Sequence, residues 1–422
     1  RGNVSAGYVQ LAYSEALFGE HDNPAFEMFN EGHYVHDVDG NRFLDFMLNA
    51  TNLIMGHAHP MIIQAIQEQA AKGTAFSGPT EAQTRLAKIL SERLPSIDTV
   101  RFTSSGTEAT MMALRVARSF TDRHKIAKFE GSYHGSHEYA SVSDAPSADQ
   151  LDPDHPTAIP GYLGQPPSLL RDVILLPYND LERSERIIRD HRAELACVMI
   201  DPVPNNLGYI AAESSFLRGI RDLTLKLDVL LIFDEVQSFR VATGGAQELF
   251  GVVPDVAALG KIVGGGLPAG AFGGREDIMA LYDPSGGGAM IPHSGTFNAN
   301  PLSMVAGEAT LNHLTPEVLQ RISALGEMLR EKLRAVFDEF EIPAQVTGVA
   351  SFFGVHFTSE EITDYRTVLR GDRQAKEALF IGMLNEGILL NPASGGSLST
   401  LTTEAEIATL VDAARRVVQR IR

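Results

Sequence analysis

Short apolar runs alternate with amphipathic stretches through the middle of this chain. Val173-Ile174-Leu175-Leu176, Leu195 to Ile200, Val229 to Phe233 and Val256 to Leu259 have no polar face. Runs this short and this apolar predict strands covered on both sides. Val100-Arg101-Phe102-Thr103 predicts another strand, just ahead of a helix-like stretch from Glu108 to Ser119. The alternation implies a mostly parallel sheet with helices on both faces. In such sheets functional groups collect beyond the carboxyl ends of the strands. Asp201, Asp234, Lys261 and the Ser104–Thr107 loop all fall there.

The flanks read differently. Tyr34-Val35-His36-Asp37-Val38 and Arg42-Phe43-Leu44-Asp45-Phe46 bracket Asp39-Gly40, a hairpin signal. Residues 1–32 are weakly periodic and predict a segment lying across a larger body. Residues 144–172, rich in Pro, Asp, Ser and Gly, predict a long, lid-like loop. Past residue 300, Thr315-Pro316 reads as a helix cap followed by proline at the first helical position. Val318, Leu319, Ile322, Leu325, Leu329, Leu333, Val336 and Phe337 then recur at helical spacing. A final helix opens at Thr403, with Glu406 placed for a capping box. The expected organisation is an N-terminal segment (1–50) joining a small α+β domain (305–422), around a large α/β domain (51–304).

Composition narrows the function. A formal net charge of −18 argues against nucleic acid or anionic membrane as a partner. One cysteine, Cys197 in an apolar run, excludes an internal disulfide framework and any cysteine-rich metal site, and no metal is expected. No apolar stretch approaches the ~18 residues of a membrane span. A cytoplasmic address is the expectation.

The chemistry centres on two residues. Val229-Leu230-Leu231-Ile232-Phe233 runs into Asp234, and Val256-Ala257-Ala258-Leu259-Gly260 runs into Lys261, followed by Gly264-Gly265-Gly266. A lysine amine and a carboxylate, each ending a buried strand, suit pyridoxal 5'-phosphate (PLP). The amine forms a Schiff base with the aldehyde, and the carboxylate keeps the pyridine nitrogen protonated. Freed by substrate, the same amine takes and returns a proton, which requires its pKa to fall below the usual ~10.4. Thr103-Ser104-Ser105-Gly106-Thr107-Glu108 links a strand to a helix, and its amides and hydroxyls suit a phosphate. Alone, the segment is also an ordinary capped helix start. Thr296, in His293-Ser294-Gly295-Thr296-Phe297-Asn298, is a second hydroxyl for the phosphate. Gln237 is placed to reach the ring's phenolate oxygen, with Tyr133 stacking on one ring face and Val236 on the other. Taken alone, Tyr133-His134 in a glycine-flanked loop is more often a structural turn. Arg240 is expected in a structural ion pair with a nearby acid, a switchable carboxylate anchor being the alternative, and His57 and His59 in loop-structural roles.

Together these motifs resemble a class III PLP-dependent aminotransferase of fold type I (aspartate aminotransferase-like). The resemblance is carried by Gly56-His57-Ala58-His59-Pro60, Ser105-Gly106-Thr107-Glu108-Ala109, Gly131-Ser132-Tyr133-His134-Gly135, Asp234-Glu235-Val236, Leu259-Gly260-Lys261 and Ser294-Gly295-Thr296. It covers nearly the whole chain. It is similar to the branch holding glutamate-1-semialdehyde 2,1-aminomutase and β-amino acid (β-phenylalanine-type) aminotransferases. The resemblance implies roles for Ser105, Gly106, Thr107, Tyr133, Asp234 and Lys261, and a homodimer in which Thr296 reaches the neighbouring subunit's phosphate.

Three departures bear on substrate. Asp201-Pro202-Val203-Pro204-Asn205-Asn206 replaces the family's Glu-Pro-Val-x-Gly-Asn. The stretch Asn3 to Val9 lacks the arginine with which aminomutases hold the substrate carboxylate, and Ala393-Ser394-Gly395-Gly396-Ser397-Leu398 replaces their Phe-Glu-Ala-Gly-Phe-like segment. Transfer of an amino group from an amine or β-amino acid to a 2-oxo acid is therefore the leading expectation. The aminomutase is the alternative, and a PLP-binding regulator without turnover is the rival from another class.

Overall fold

The computed structural model describes residues 32–37, 39–152, 155–285 and 290–421. The expectation for the N-terminal segment falls on residues 1–31, outside the described residues.

The hairpin forms where Asp39-Gly40 predicts it. β1 (Tyr34–His36) pairs antiparallel with β2 (Arg42–Asp45), and Gly40 takes the positive φ of 83° that the turn requires. The Asp37 carboxylate accepts the N–H groups of Asp39 and Asn41 and closes the turn.

Seven strands build the main sheet: β3 (Thr99–Thr103), β4 (Lys125–Phe129), β5 (Val173–Leu176), β6 (Leu195–Ile200), β7 (Leu230–Asp234), β8 (Val256–Leu259) and β9 (Gly270–Gly274). Their order is β3-β9-β8-β7-β6-β4-β5, parallel except where β9 runs against both neighbours. Every residue of β6, β7 and β8 is buried, which is why these strands read as unbroken apolar runs. β4 and β9 escape that reading. Lys128 interrupts β4, and β9 is glycine-rich because its neighbours crowd it: a Cβ at Gly270 would run into the Ser105 carbonyl.

Two three-stranded sheets complete the fold, using β10 (Gln345–Thr347), β11 (Phe352–His356), β12 (Ile388–Leu389) and β13 (Gly395–Ser397). β12 adds in parallel to β2, and β11 pairs antiparallel with β10 and β13. One core joins Val35, Leu44 and Phe46 of the N-terminal hairpin region to Leu329, Leu333 and Val417. The long helix Pro316–Glu339 is capped by Thr315, whose side chain accepts from Val318 N. It buries Leu319, Ile322, Leu325, Leu329 and Leu333 along one stripe. A leucine buried this way contributes about 1.5–3 kcal/mol, so the stripe outweighs intrinsic helix propensity.

The 144–172 segment is less free than its composition suggests. Its described residues include a 3-10 turn, Ala148–Gln150, and a short α-helical turn, Pro167–Leu170. Ser143 N donates to Ile159 O at 3.0 Å, and Gln165 Nε2 donates to Glu138 O at 2.6 Å.

Candidate active site

The ends of β7 and β8 lie side by side in the sheet centre and deliver Asp234 and Lys261 to one place. Asp234 is 4% exposed. Its Oδ1 accepts the Val236 N–H at 3.0 Å, and its Oδ2 lies 2.8 Å from His134 Nδ1. His134 comes from the loop after β4 and is itself buried, which lowers its pKa and keeps the ring neutral. A buried carboxylate requires such partners, since a charge left unpaired in the interior is costly. Asp201 follows β6 nearby. Burial first, then the charge of Asp234, pushes its carboxyl far above the usual carboxylate range. The neutral form of the Asp201 carboxyl is thereby favoured.

Lys261 sits in the left-handed region, φ 49°, directly after the extended Gly260. That conformation costs a non-glycine residue on the order of 1 kcal/mol and turns the side chain back over the strand ends. Its Nζ donates to Gln237 Oε1 at 3.0 Å, while Gln237 Nε2 donates to Val203 O at 3.3 Å. The lysine keeps a partly open surface inside dense surroundings. Burial lowers its pKa from 10.5 to about 8, Asp201 and Asp234 oppose the fall, and Arg240 adds to it.

Ser105 caps the helix Gly106–Thr121, with its Oγ accepting from Glu108 N at 3.2 Å. The Glu108 carboxylate returns to accept the Ser104 N–H at 2.6 Å. Gly106 is pressed against Val236, where an added Cβ would lie 2.8 Å from Cγ1. Gly260 packs on the same two residues, which places the helix start against the strand carrying Lys261. Thr107 Oγ1 accepts the Ser136 N–H at 3.3 Å. The second hydroxyl-rich loop reaches this corner through Ser104 Oγ, which donates to Asn298 Oδ1 at 3.2 Å. Thr296 in that loop is exposed, and Tyr133 is 48% exposed beside His134 in the chain.

Among the sequence-predicted residues, Asp234, Val236, Gln237, Lys261 and Gly106 thus converge. His134 was legible only as a turn residue, although a buried Asp234 demands a partner. Arg240 corrects an expectation. Instead of an acid it binds Thr51 O at 2.8 Å, Ser397 Oγ at 3.2 Å and the Leu398 carbonyl. Two backbone carbonyls and one hydroxyl take the place of a carboxylate here. Burial lowers its pKa to about 9. His57 pairs with Asp45 at 2.7 Å, fixing the loop that follows β2. Among the described residues no cluster of three or more His, Cys, Asp or Glu is arranged to hold a metal. No helix there is long and apolar enough to cross a membrane.

The donor set fits PLP. A depressed amine would meet an aldehyde, and a pinned carboxylate would meet a basic ring nitrogen. The Gly106 and Thr107 amides at the helix start would meet a phosphate, the Ser104 and Glu108 amides being already bonded.

The family description "Aminotransferase class-III" matches residues 19–411. The chain is 41% identical to a glutamate-1-semialdehyde 2,1-aminomutase of Lysinibacillus sphaericus, over 94% of this chain and 90% of that one. A solved omega-transaminase from Sphaerobacter thermophilus superposes with a TM-score of 0.91 at 43% identity, covering 96% of this chain and 92% of that chain. A transaminase solved with PLP bound superposes at 0.88 with 36% identity, covering 96% and 93%. The mixed seven-stranded sheet agrees with fold type I. The chain therefore belongs to the class III aminotransferases, a family of PLP-dependent enzymes.

Proposed function

We propose that Lys261 and Asp234 carry a PLP-dependent amino-group transfer, with Lys261 as the proton-moving amine. The observation that carries this reading is the convergence of a lysine lowered to about 8 and a carboxylate pinned by His134 on adjacent strand ends. When bound, PLP supplies a carbon that amines attack and a ring that withdraws electrons. Asp234 holds the proton on the ring nitrogen. Gln237 orients the Lys261 amine through its Oε1. At neutral to mildly alkaline pH that amine is partly unprotonated and takes a proton from the substrate carbon. The amides of Gly106 and Thr107, with the Ser105 hydroxyl, hold the phosphate, while Tyr133 and Val236 bound the ring.

The assembly is proposed as a cytoplasmic homodimer in which Thr296 serves the neighbour's phosphate. The exposure of Thr296, with Met290 81% and Phe297 65% exposed near it, supports a covered face. The division at residues 50 and 304 into a large domain and a small one is part of the same proposal.

Two readings of the substrate remain, and the curated relatives weigh for the second of them. Curated relatives at 38–41% identity carry the aminomutase name, which supports isomerisation of glutamate-1-semialdehyde better than transfer to an external 2-oxo acid. Two observations favour the transaminase. The omega-transaminase is 43% identical, and β13 presents Gly395-Gly396-Ser397 in place of the mutase's acidic segment. The test supplies purified enzyme with glutamate-1-semialdehyde alone, and separately with an amine panel plus pyruvate. Formation of 5-aminolevulinate without added keto acid supports the mutase. Alanine formed from pyruvate, with no 5-aminolevulinate, supports the transaminase.

A further inference from the structure

Two histidines of one loop carry complementary unmet hydrogen-bonding needs. With Asp234 as a carboxylate, His134 Nδ1 must be the donor across the 2.8 Å contact. In the neutral ring Nε2 is then a bare acceptor, and it is buried with no partner. His137, on the same loop, shows the opposite arrangement. Its Nδ1 accepts the Ala140 N–H at 3.4 Å, so the proton of the neutral ring belongs on Nε2. That Nε2 is also buried and also without a partner. One ring lacks a donor and the other an acceptor, and a buried polar atom left unpaired costs about 1–3 kcal/mol.

The surroundings keep His137 neutral. Lys128 of β4 lies across from it, with Nζ donating to Ala140 O at 2.6 Å and Val142 O at 2.8 Å. Arg118 of the helix Gly106–Thr121 stands 3.8 Å over the Tyr139 ring. Burial, His134 and these two cations oppose a proton on His137, while Asp234 of β7 favours one, and the pKa falls to about 4.

We propose that His137 is a positioning residue whose Nε2–H donates to a buried water that in turn donates to His134 Nε2, neither nitrogen having a direct partner. The relay His137–His134–Asp234 fixes the tautomer and tilt of His134, and through it the carboxylate. Its importance for catalysis rests on reading Asp234 as the partner of the cofactor's ring nitrogen; the relay itself does not. A merely structural His137, capping its own turn through Nδ1, would leave the His134 ring unaffected.

The test uses full-length protein labelled with 15N-histidine, read by NMR without cofactor, then with PLP. In the wild-type protein both rings are expected neutral at pH 7, His134 protonated on Nδ1 and His137 on Nε2. His137→Phe is expected to shift the His134 ring nitrogens and speed exchange of the Nδ1 proton. His137→Gln, whose amide still donates, is expected to stay nearer the wild type. With PLP, His137→Phe is expected to move the pH midpoint of the visible absorbance more than His137→Gln does. A wild-type His137 protonated on Nδ1 would overturn the relay, and needs no variant to be seen. Unchanged His134 resonances in a folded His137→Phe protein would overturn it too. A wild-type protein that gains no colour with PLP would sink the functional reading, while the cofactor-free spectra still decide the relay.

Discussion

His134 Nδ1 lies 2.8 Å from Asp234 Oδ2, and this bond ties the loop after β4 to the last residue of β7. The loop and the strand end thereby become one rigid unit. Asp234 keeps its orientation through His134 and the Val236 N–H, which leaves the carboxyl available to a ligand.

Asp234→Asn keeps the shape and removes the charge. The Asn carbonyl can keep the His134 bond while its NH2 then faces the Val236 N–H, so one of the two bonds is lost, and the fold is expected to hold by circular dichroism. The ring nitrogen loses its counter-charge, and turnover at saturating PLP is expected to fall on the order of 10²–10³-fold. Undiminished turnover in a folded variant would remove Asp234 from the reaction.

The lowered Lys261 pKa gives a pH signature. The free amine reacts with the aldehyde, so the rate of PLP uptake by the cofactor-free protein is expected to rise with pH and level off above about 8. A lysine in ordinary solvation would keep the rate climbing toward ~10.4. The sign for stability follows from the same shift. Between 8 and 10.5 the unfolded chain holds the proton that the folded protein has lost, so this group's contribution to stability falls as pH drops through that window. Stopped-flow absorbance across pH 6.5–10 reads the uptake.

Gly106 is tested through its contact with Val236. Gly106→Ala places a methyl 2.8 Å from Val236 Cγ1, closer than carbon atoms pack. The overpacked helix start is expected to cost about 1–3 kcal/mol of stability and to weaken PLP binding. Val236→Ala in the same chain removes the collision and is expected to restore part of the affinity in a double-mutant cycle. Additive losses in the double variant would place the effect elsewhere.

Most of the sheet was legible because β6, β7 and β8 are buried on both faces and therefore carry no polar face to confuse the pattern. β4 was not, because Lys128 finds backbone carbonyls inside the fold and needs no solvent. β9 was hidden by glycines whose reason is a neighbour distant in sequence. Lys261 and Asp234 stood out because ionisable residues rarely end apolar runs. His134 did not, because its partner lies 100 positions along the chain. Arg240 misled for the same reason: its carbonyl acceptors belong to Thr51 and Leu398, and spacing along a sequence does not report them.

Borohydride trapping reads the Schiff-base lysine itself. Purified protein is incubated with PLP, reduced, digested, and its peptides are mapped by mass. A phosphopyridoxyl group is expected on the peptide holding Lys261, with loss of that label in Lys261→Ala. A label on another lysine, or none on a folded protein saturated with PLP, would contradict the Lys261 assignment.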